Sequence, residues 1–266
     1  MSSTEKIRTC ARPIARRHEQ KADRAVMGLH GYMGYTGELA LPLDLLYQEG
    51  FDVFAPRYPG HGTSGEDFMK TDVTMWVAEA ERAYRELEQD YEEIFLLGHS
   101  MGGLMAAHLA HLFDVHKMVL YAPAFLLYKT IPASLLSLLS LVKKRKSVPW
   151  AADPAYPLYG ERDEGDDEYL GKEYWSFIYY RQVAGLERLR REVLTELPEI
   201  RTDTLVFTGG EDTLVSAESG PLVQKGMRGK NNRWVHLERG THLIPYDRDD
   251  AARDLAMQET LLFLSP

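Results

Sequence analysis

Gly98-His99-Ser100-Met101-Gly102 sets one hydroxyl between two glycines. The apolar run Ile94-Phe95-Leu96-Leu97 precedes it, and a helix-like run over 103–113 follows. A strand, a sharp turn and a helix in that order push a serine hydroxyl away from the backbone, where a base can reach it. The glycines answer a steric demand: a side chain at 98 or 102 would collide as strand and helix close around the turn. A free hydroxyl is a weak nucleophile at neutral pH, so Ser100 needs a base. The base needs an acid to orient it, and the reaction needs donors for a developing oxyanion. In this arrangement the chain order is serine, acid, histidine.

Asp212 is the candidate acid. It lies in Gly209-Gly210-Glu211-Asp212-Thr213-Leu214-Val215, directly after an apolar run at 205–208. An aspartate capping the next helix is the plainer reading, and Glu211 is a neighbouring competitor. His242 is the candidate base, in Gly240-Thr241-His242 after the run at 234–237. His236 falls inside that run, His108 and His111 fall on the helix after the serine, and His18 and His116 are out of place. His99 fills the variable position of the turn and is expected to pack or hydrogen-bond locally. The expected oxyanion donors are the backbone N–H groups of Met101 and of Tyr32. Tyr32 lies in His30-Gly31-Tyr32-Met33-Gly34, where Gly31 permits a tight turn. An ordinary glycine-rich turn is the alternative reading of that loop, with His30 bracing it. His61 and Ser64, in Pro59-Gly60-His61-Gly62-Thr63-Ser64, read as structural.

The elements that must position these residues alternate along the chain. Apolar runs at 25–29, 53–55, 94–97, 118–121, 205–208 and 234–237 read as strands, several of them apolar throughout, as strands buried on both faces are. Helical patterns at 38–48, 73–89, 103–113, 219–227 and 249–263 lie between them, with Asp72 as an N-cap. This alternation predicts an α/β fold with a mainly parallel sheet flanked by helices and the site at the carboxyl ends of the strands. The alternation stops over 122–202, which is too long for a connection and reads as an inserted helical cap. Residues 1–121 and 203–266 then form the core.

Composition excludes several function classes. A net charge of −9 argues against nucleic acid as a partner. A single cysteine, Cys10, rules out an internal disulfide or a cysteine-rich metal site. The polar start and the lack of an 18-residue apolar run predict a soluble cytoplasmic protein. Oligomeric state is left open.

In the cap, residues 131–142 are apolar with a narrow stripe of serines, and Lys143-Lys144-Arg145-Lys146 follow. That pattern predicts a helix lining an apolar pocket. Transient contact with an anionic membrane surface is a further reading, and a buried helix whose dipole the cations complement is the plain one. The acidic run at 161–168 reads as a solvated loop. The aromatic stretch at 174–180 reads as cap core.

The loop 30–34, the Pro59-Gly60-His61-Gly62 turn, the Ser100 motif, Asp212 and His242 together resemble the α/β-hydrolase superfamily. Gly98-His99-Ser100-Met101-Gly102-Gly103 and Gly240-Thr241-His242-Leu243-Ile244, followed by an acidic helix start at Asp247, are similar to the bacterial carboxylesterase and monoacylglycerol lipase group. The resemblance implies hydrolysis of short to medium acyl esters or monoacylglycerols through an acyl-enzyme, with no metal or organic cofactor. Ser100 argues against the dehalogenase and epoxide hydrolase branches, which use an aspartate there. Ser100, Asp212 and His242 are the expected catalytic residues. Gly31, Leu135, Leu138 and Trp175 are the expected substrate contacts. A thioesterase, a peptidase or a hydrolase-like binding protein without turnover are the alternatives.

Overall fold

The computed structural model describes residues 6–20 and 22–265; the first five residues of the polar start lie outside them. The strands are β1 (Ile14–Arg16), β2 (Arg24–Leu29), β3 (Asp52–Ala55), β4 (Glu93–His99), β5 (Lys117–Tyr121), β6 (Arg145–Ser147), β7 (Phe177–Tyr179), β8 (Asp203–Gly209) and β9 (Arg233–Leu237). The helices are α1 (Ala40–Gln48), α2 (Gly65–Lys70), α3 (Val73–Leu87), α4 (Met101–Leu112), α5 (Ala133–Val142), α6 (Asp166–Leu170), α7 (Tyr180–Glu196), α8 (Ser219–Gly226) and α9 (Asp250–Leu264). Seven strands form one sheet in the order β1-β3-β2-β4-β5-β8-β9, parallel except for β1, and β6 and β7 form a separate antiparallel pair.

All six strands read from the sequence are present. Their uniformly apolar runs bury alternate residues on opposite faces. Val26, Phe95, Leu97, Val119 and Phe207 pack on the α1 and α9 side, whereas Met27, Leu96, Met118, Leu120 and Val206 pack with α3 and α4. Register aligns the strand ends. Leu29 pairs with Gly98, His99 with Tyr121, and Gly209 with Leu237. The loops carrying residues 30–34, 100, 210–212 and 240–242 therefore leave the sheet at one edge.

Local signals set the helix starts. Asp72 accepts the Met75 N–H at 3.2 Å, and Asp249 accepts the Ala252 N–H at 3.0 Å, so Asp249 caps α9 rather than joining it. Ser64 accepts the Asp67 N–H at 3.2 Å and starts α2, a short helix the sequence reading did not contain. Each cap contributes about 1 kcal/mol.

Residues 122–202 contain α5, β6, α6, β7 and α7, and α7 packs against α3, α4 and α5. Three expectations for this segment change. The acidic run is a solvated loop only in part: Glu161, Asp163, Glu164 and Glu168 are exposed, but Asp166 is 1% exposed and accepts the Cys10 N–H at 3.2 Å, while Asp167 bonds Tyr35 and Arg162. Burial, with those carboxylates adding to it, pushes the Cys10 thiol up to about 12, so it stays protonated. α5 is not the buried helix of the plain reading, since Leu136 is its buried residue. The helix ends at Val142, and Arg145 enters β6, its guanidinium 3.9 Å from the centre of the Phe177 ring. The aromatic stretch reaches beyond the segment: the Tyr174 hydroxyl accepts the Thr63 N–H and donates to the Gly60 carbonyl, both at 2.9 Å.

The glycine pair around Ser100 meets two different walls. A Cβ on Gly98 would lie 2.5 Å from the Gly102 carbonyl, as strand–helix closure requires. A Cβ on Gly102 would instead fall inside the carbonyl of Leu29, on the neighbouring strand β2. Gly102→Ala is expected to lower unfolding free energy by about 3 kcal/mol, because backbone on both sides resists displacement. Urea denaturation checks this, and an unchanged midpoint would show that β2 yields.

Candidate active site

Ser100 has φ 54° and ψ −114°, a conformation that L residues rarely adopt. Such a residue costs about 1–3 kcal/mol and persists only where its surroundings hold it. Its N–H donates to the Tyr121 carbonyl at 3.0 Å, and its carbonyl accepts from Gly103 at 3.0 Å and Ala124 at 3.1 Å.

The turn aims the hydroxyl at His242, whose Nε2 lies 3.0 Å from Ser100 Oγ. His242 Nδ1 lies 2.8 Å from Asp212 Oδ2. The carboxylate accepts at Nδ1, which leaves Nε2 as the acceptor for the serine proton. Asp212 is 5% exposed, and its other oxygen accepts the N–H groups of Leu214 at 2.7 Å and Val215 at 2.9 Å. Burial opposes its ionisation, but the His242 contact and the two amides outweigh burial and hold the carboxyl below the usual range. Glu211, the sequence competitor, points away: its carboxylate is half exposed and lies 3.4 Å from Arg248.

The loop 30–34 lies against the serine, since a Cβ on Gly31 would be 3.4 Å from Ser100 Cβ. The Gly31 N–H donates to Glu38 Oε2 at 3.0 Å. No hydrogen bond to the N–H of Tyr32 or Met101 is formed among the described residues. His30 donates from Nδ1 to the Gly31 carbonyl at 3.0 Å, and burial lowers its pKa to about 4, so it braces the loop as a neutral ring. His61 is buried against the Trp76 and Phe68 rings, and burial holds it well below the usual histidine range.

Two carboxylates near the site escaped the sequence reading. Asp247, read as a helix start, is fully buried and accepts the Thr241 N–H at 2.6 Å and hydroxyl at 3.0 Å, anchoring the residue before His242. Glu38 was read only as part of a helix. Its carboxylate meets His99, and the expectation that His99 bonds locally is wrong: its partners are Glu38 and the His242 carbonyl, 61 and 143 positions away. A charged residue seven positions after Gly31 was the one available signal for Glu38.

Among the described residues, the remaining sequence candidates form no hydrogen bond with Ser100, Asp212 or His242. Leu135 and Leu138 are 47% and 62% exposed, and Leu136 is the residue of α5 that is buried. Trp175 is half-buried between the rings of Trp150 and Tyr35, 5.8 and 6.4 Å away. His108 pairs with Glu196, His236 with Thr208, and His18 with Asp52, none of them with Ser100.

A hydroxyl, an imidazole and a buried carboxylate in line can pass a proton from oxygen to ring while the carboxylate stabilises the charged ring. The family model described as serine aminopeptidase, S33, matches residues 20–249. A carboxylesterase from Bacillus subtilis (strain 168) is 25% identical over 247 residues, covering 91% of this chain and 92% of that protein. A thermostable monoacylglycerol lipase from Bacillus sp. (strain H-257) is 27% identical over 225 residues, covering 84% of each. Among solved structures, one from work on LipS and LipT, two metagenome-derived lipolytic enzymes, superposes with a TM-score of 0.80 at 19% identity, covering 97% of this chain and 98% of that one. The expected α/β-hydrolase fold is thereby met.

Asp212→Asn is expected to lower kcat about 10⁴-fold, because the amide disfavours the required tautomer. Glu211→Gln should leave kcat within about twofold, as exposed charges of this kind contribute little. Steady-state kinetics of both variants decides between them, and equal losses would mean that His242 is not oriented by Asp212 alone.

Proposed function

Because this chain belongs to the serine aminopeptidase S33 family of hydrolases, we propose that it cleaves carboxylic esters, short to medium acyl esters or monoacylglycerols, through an acyl-enzyme. The observation that carries this reading is the Ser100–His242–Asp212 line, 3.0 and 2.8 Å between partners, on a backbone held in a strained turn. The similar Bacillus carboxylesterase and monoacylglycerol lipase support esters as the substrate class. A cytoplasmic site of action is part of the proposal.

Ser100 Oγ attacks the ester carbonyl carbon as its proton passes to His242 Nε2. Asp212 stabilises the imidazolium. The oxyanion is received by the N–H groups of Tyr32 and Met101, worth about 3–4 kcal/mol per donor in related sites. His242 then protonates the leaving alcohol oxygen, and the carbon–oxygen bond breaks to give acyl-Ser100. Water attacks the acyl carbon with His242 as base, and the acid leaves as Ser100 regains its proton. Gly31 and Trp175 border the acyl site, Trp175 with its ring tilted beside that of Tyr35.

Residues 122–202 act as the cap over this site. Within it, Leu138, Leu141 and Val142 are 62%, 81% and 90% exposed, beside exposed Lys143, Lys144 and Lys146. That surface suits acyl chains presented at an anionic lipid interface, with Leu135 and Leu138 as their contacts. No helix of the described residues is long and apolar enough to cross a membrane.

The family's description names a peptidase, which favours a second reading on the same triad. Turnover of p-nitrophenyl esters from acetate to palmitate, beside aminoacyl p-nitroanilides and acyl thioesters, separates the readings. Ser100-dependent preference for short or medium esters is expected, and Ser100→Ala should be folded and inactive. Preference for the anilides or thioesters would move the assignment, and a folded wild type inert to all of them and to fluorophosphonate would make it a binding protein. Vesicles containing anionic lipid should retain the protein at low salt, and Leu141→Asp with Val142→Asp should abolish retention without altering turnover of the acetate ester. Absence of wild-type binding would remove the membrane contact.

A further inference from the structure

Glu38 and His99 form a buried pair that the proton transfers above do not use, 6% and 2% exposed. Glu38 Oε2 and His99 Nδ1 are 3.0 Å apart. The same Oε2 accepts the Gly31 N–H at 3.0 Å, and His99 Nε2 lies 2.9 Å from the His242 carbonyl oxygen. A carbonyl oxygen only accepts, so Nε2 carries a proton. An ionised Glu38 also only accepts, so Nδ1 carries one too. Burial opposes both charges. The hydrogen bond and attraction between the partners outweigh it, and they hold Glu38 below the usual carboxylate range and His99 above the usual histidine range.

The surroundings leave this pair as the local charge balance. His30, from the loop after β2, is neutral, its pKa lowered to about 4 by burial. Tyr58 and Tyr246 face Glu38, and burial together with its charge pushes both phenols well above their usual range. Asp212 and His242 face His99 from the loops after β8 and β9. Gly34 leaves room for the carboxylate, which a Cβ there would overlap.

We propose that the Glu38–His99 pair is a positioning device that works as carboxylate and imidazolium, fixing the backbone of His242 relative to Gly31, one residue before the oxyanion donor Tyr32. The inference rests on the Ser100–His242–Asp212 reading. Neither side chain touches the reacting atoms. A neutral His99 keeps one ring proton and can serve only one of its two acceptors, so deprotonation frees either the oxyanion loop or the base. Misplacement of this kind affects the transition state more than substrate binding, and so lowers kcat rather than raising KM.

The test measures kcat and KM for p-nitrophenyl butyrate over about pH 5–10 in the wild type, Glu38→Gln and Ser100→Ala. In Glu38→Gln, kcat at neutral pH should fall about 10- to 100-fold with KM within about twofold. Its alkaline limb should also move to lower pH, because removing the carboxylate lowers the His99 pKa. An unchanged kcat, or a loss equal at every pH, overturns the proposal. Turnover retained by Ser100→Ala would instead sink the reading of the site itself. Nitrogen-15 NMR of the unsubstituted, histidine-labelled protein is independent of how variants fold. Both ring nitrogens of His99, identified by proximity to the Gly31 amide proton, should be protonated at neutral pH, and one bare nitrogen overturns the proposal.

Discussion

The site depends on one residue held where side chains seldom go. Ser100, at φ 54°, sits between β4 and α4. Strain of about 1–3 kcal/mol is borne there by three backbone hydrogen bonds, to Tyr121 at the end of β5, to Gly103 in α4 and to Ala124 just after β5. The turn can be this sharp because Gly98 and Gly102 present no side chain. Gly102 also lets the carbonyl of Leu29 approach, which brings the end of β2, and with it the loop 30–34, beside the serine. A single close contact thus couples the conformation of Ser100 to the place of the loop 30–34.

Buried carboxylates hold the remaining loops. Asp212 receives two amides of its own loop as well as the His242 ring, Asp247 receives the amide and hydroxyl of Thr241, and Glu38 receives the amide of Gly31 and the ring of His99. An unpaired buried charge is costly, and a carboxylate with several donors is not. Where the ladder ends, these carboxylates take up backbone and side-chain donors of the loops that would otherwise be buried without a partner.

The segment between β5 and β8 has two characters. Its inner part is tied to the core by Tyr174 on the Pro59–Ser64 turn, by Asp166 and Asp167 on Cys10 and Tyr35, and by α7 on α3 and α4. Its outer helix α5 buries little more than Leu136 and leaves its other leucines to solvent. Apolar surface without a protein partner is the part of the molecule suited to an acyl chain or a lipid surface.

The six parallel strands, the serine turn and the order serine, aspartate, histidine were legible in the sequence because each is written in neighbouring residues. Strand periodicity, glycine steric demands and position after a strand are local properties. The short strand β1, the β6–β7 pair and α2 were not legible, since three to six residues carry too little pattern. The roles of His99, Glu38, Asp247 and Asp166 depend on partners distant in the chain and on burial, which determines whether a polar side chain is solvated or must find a bond. The sequence by itself determined the chemistry on offer and the order of the groups. Only the tertiary structure decided which carboxylate and which imidazole meet, because that follows from strand register and the packing of loops at one sheet edge.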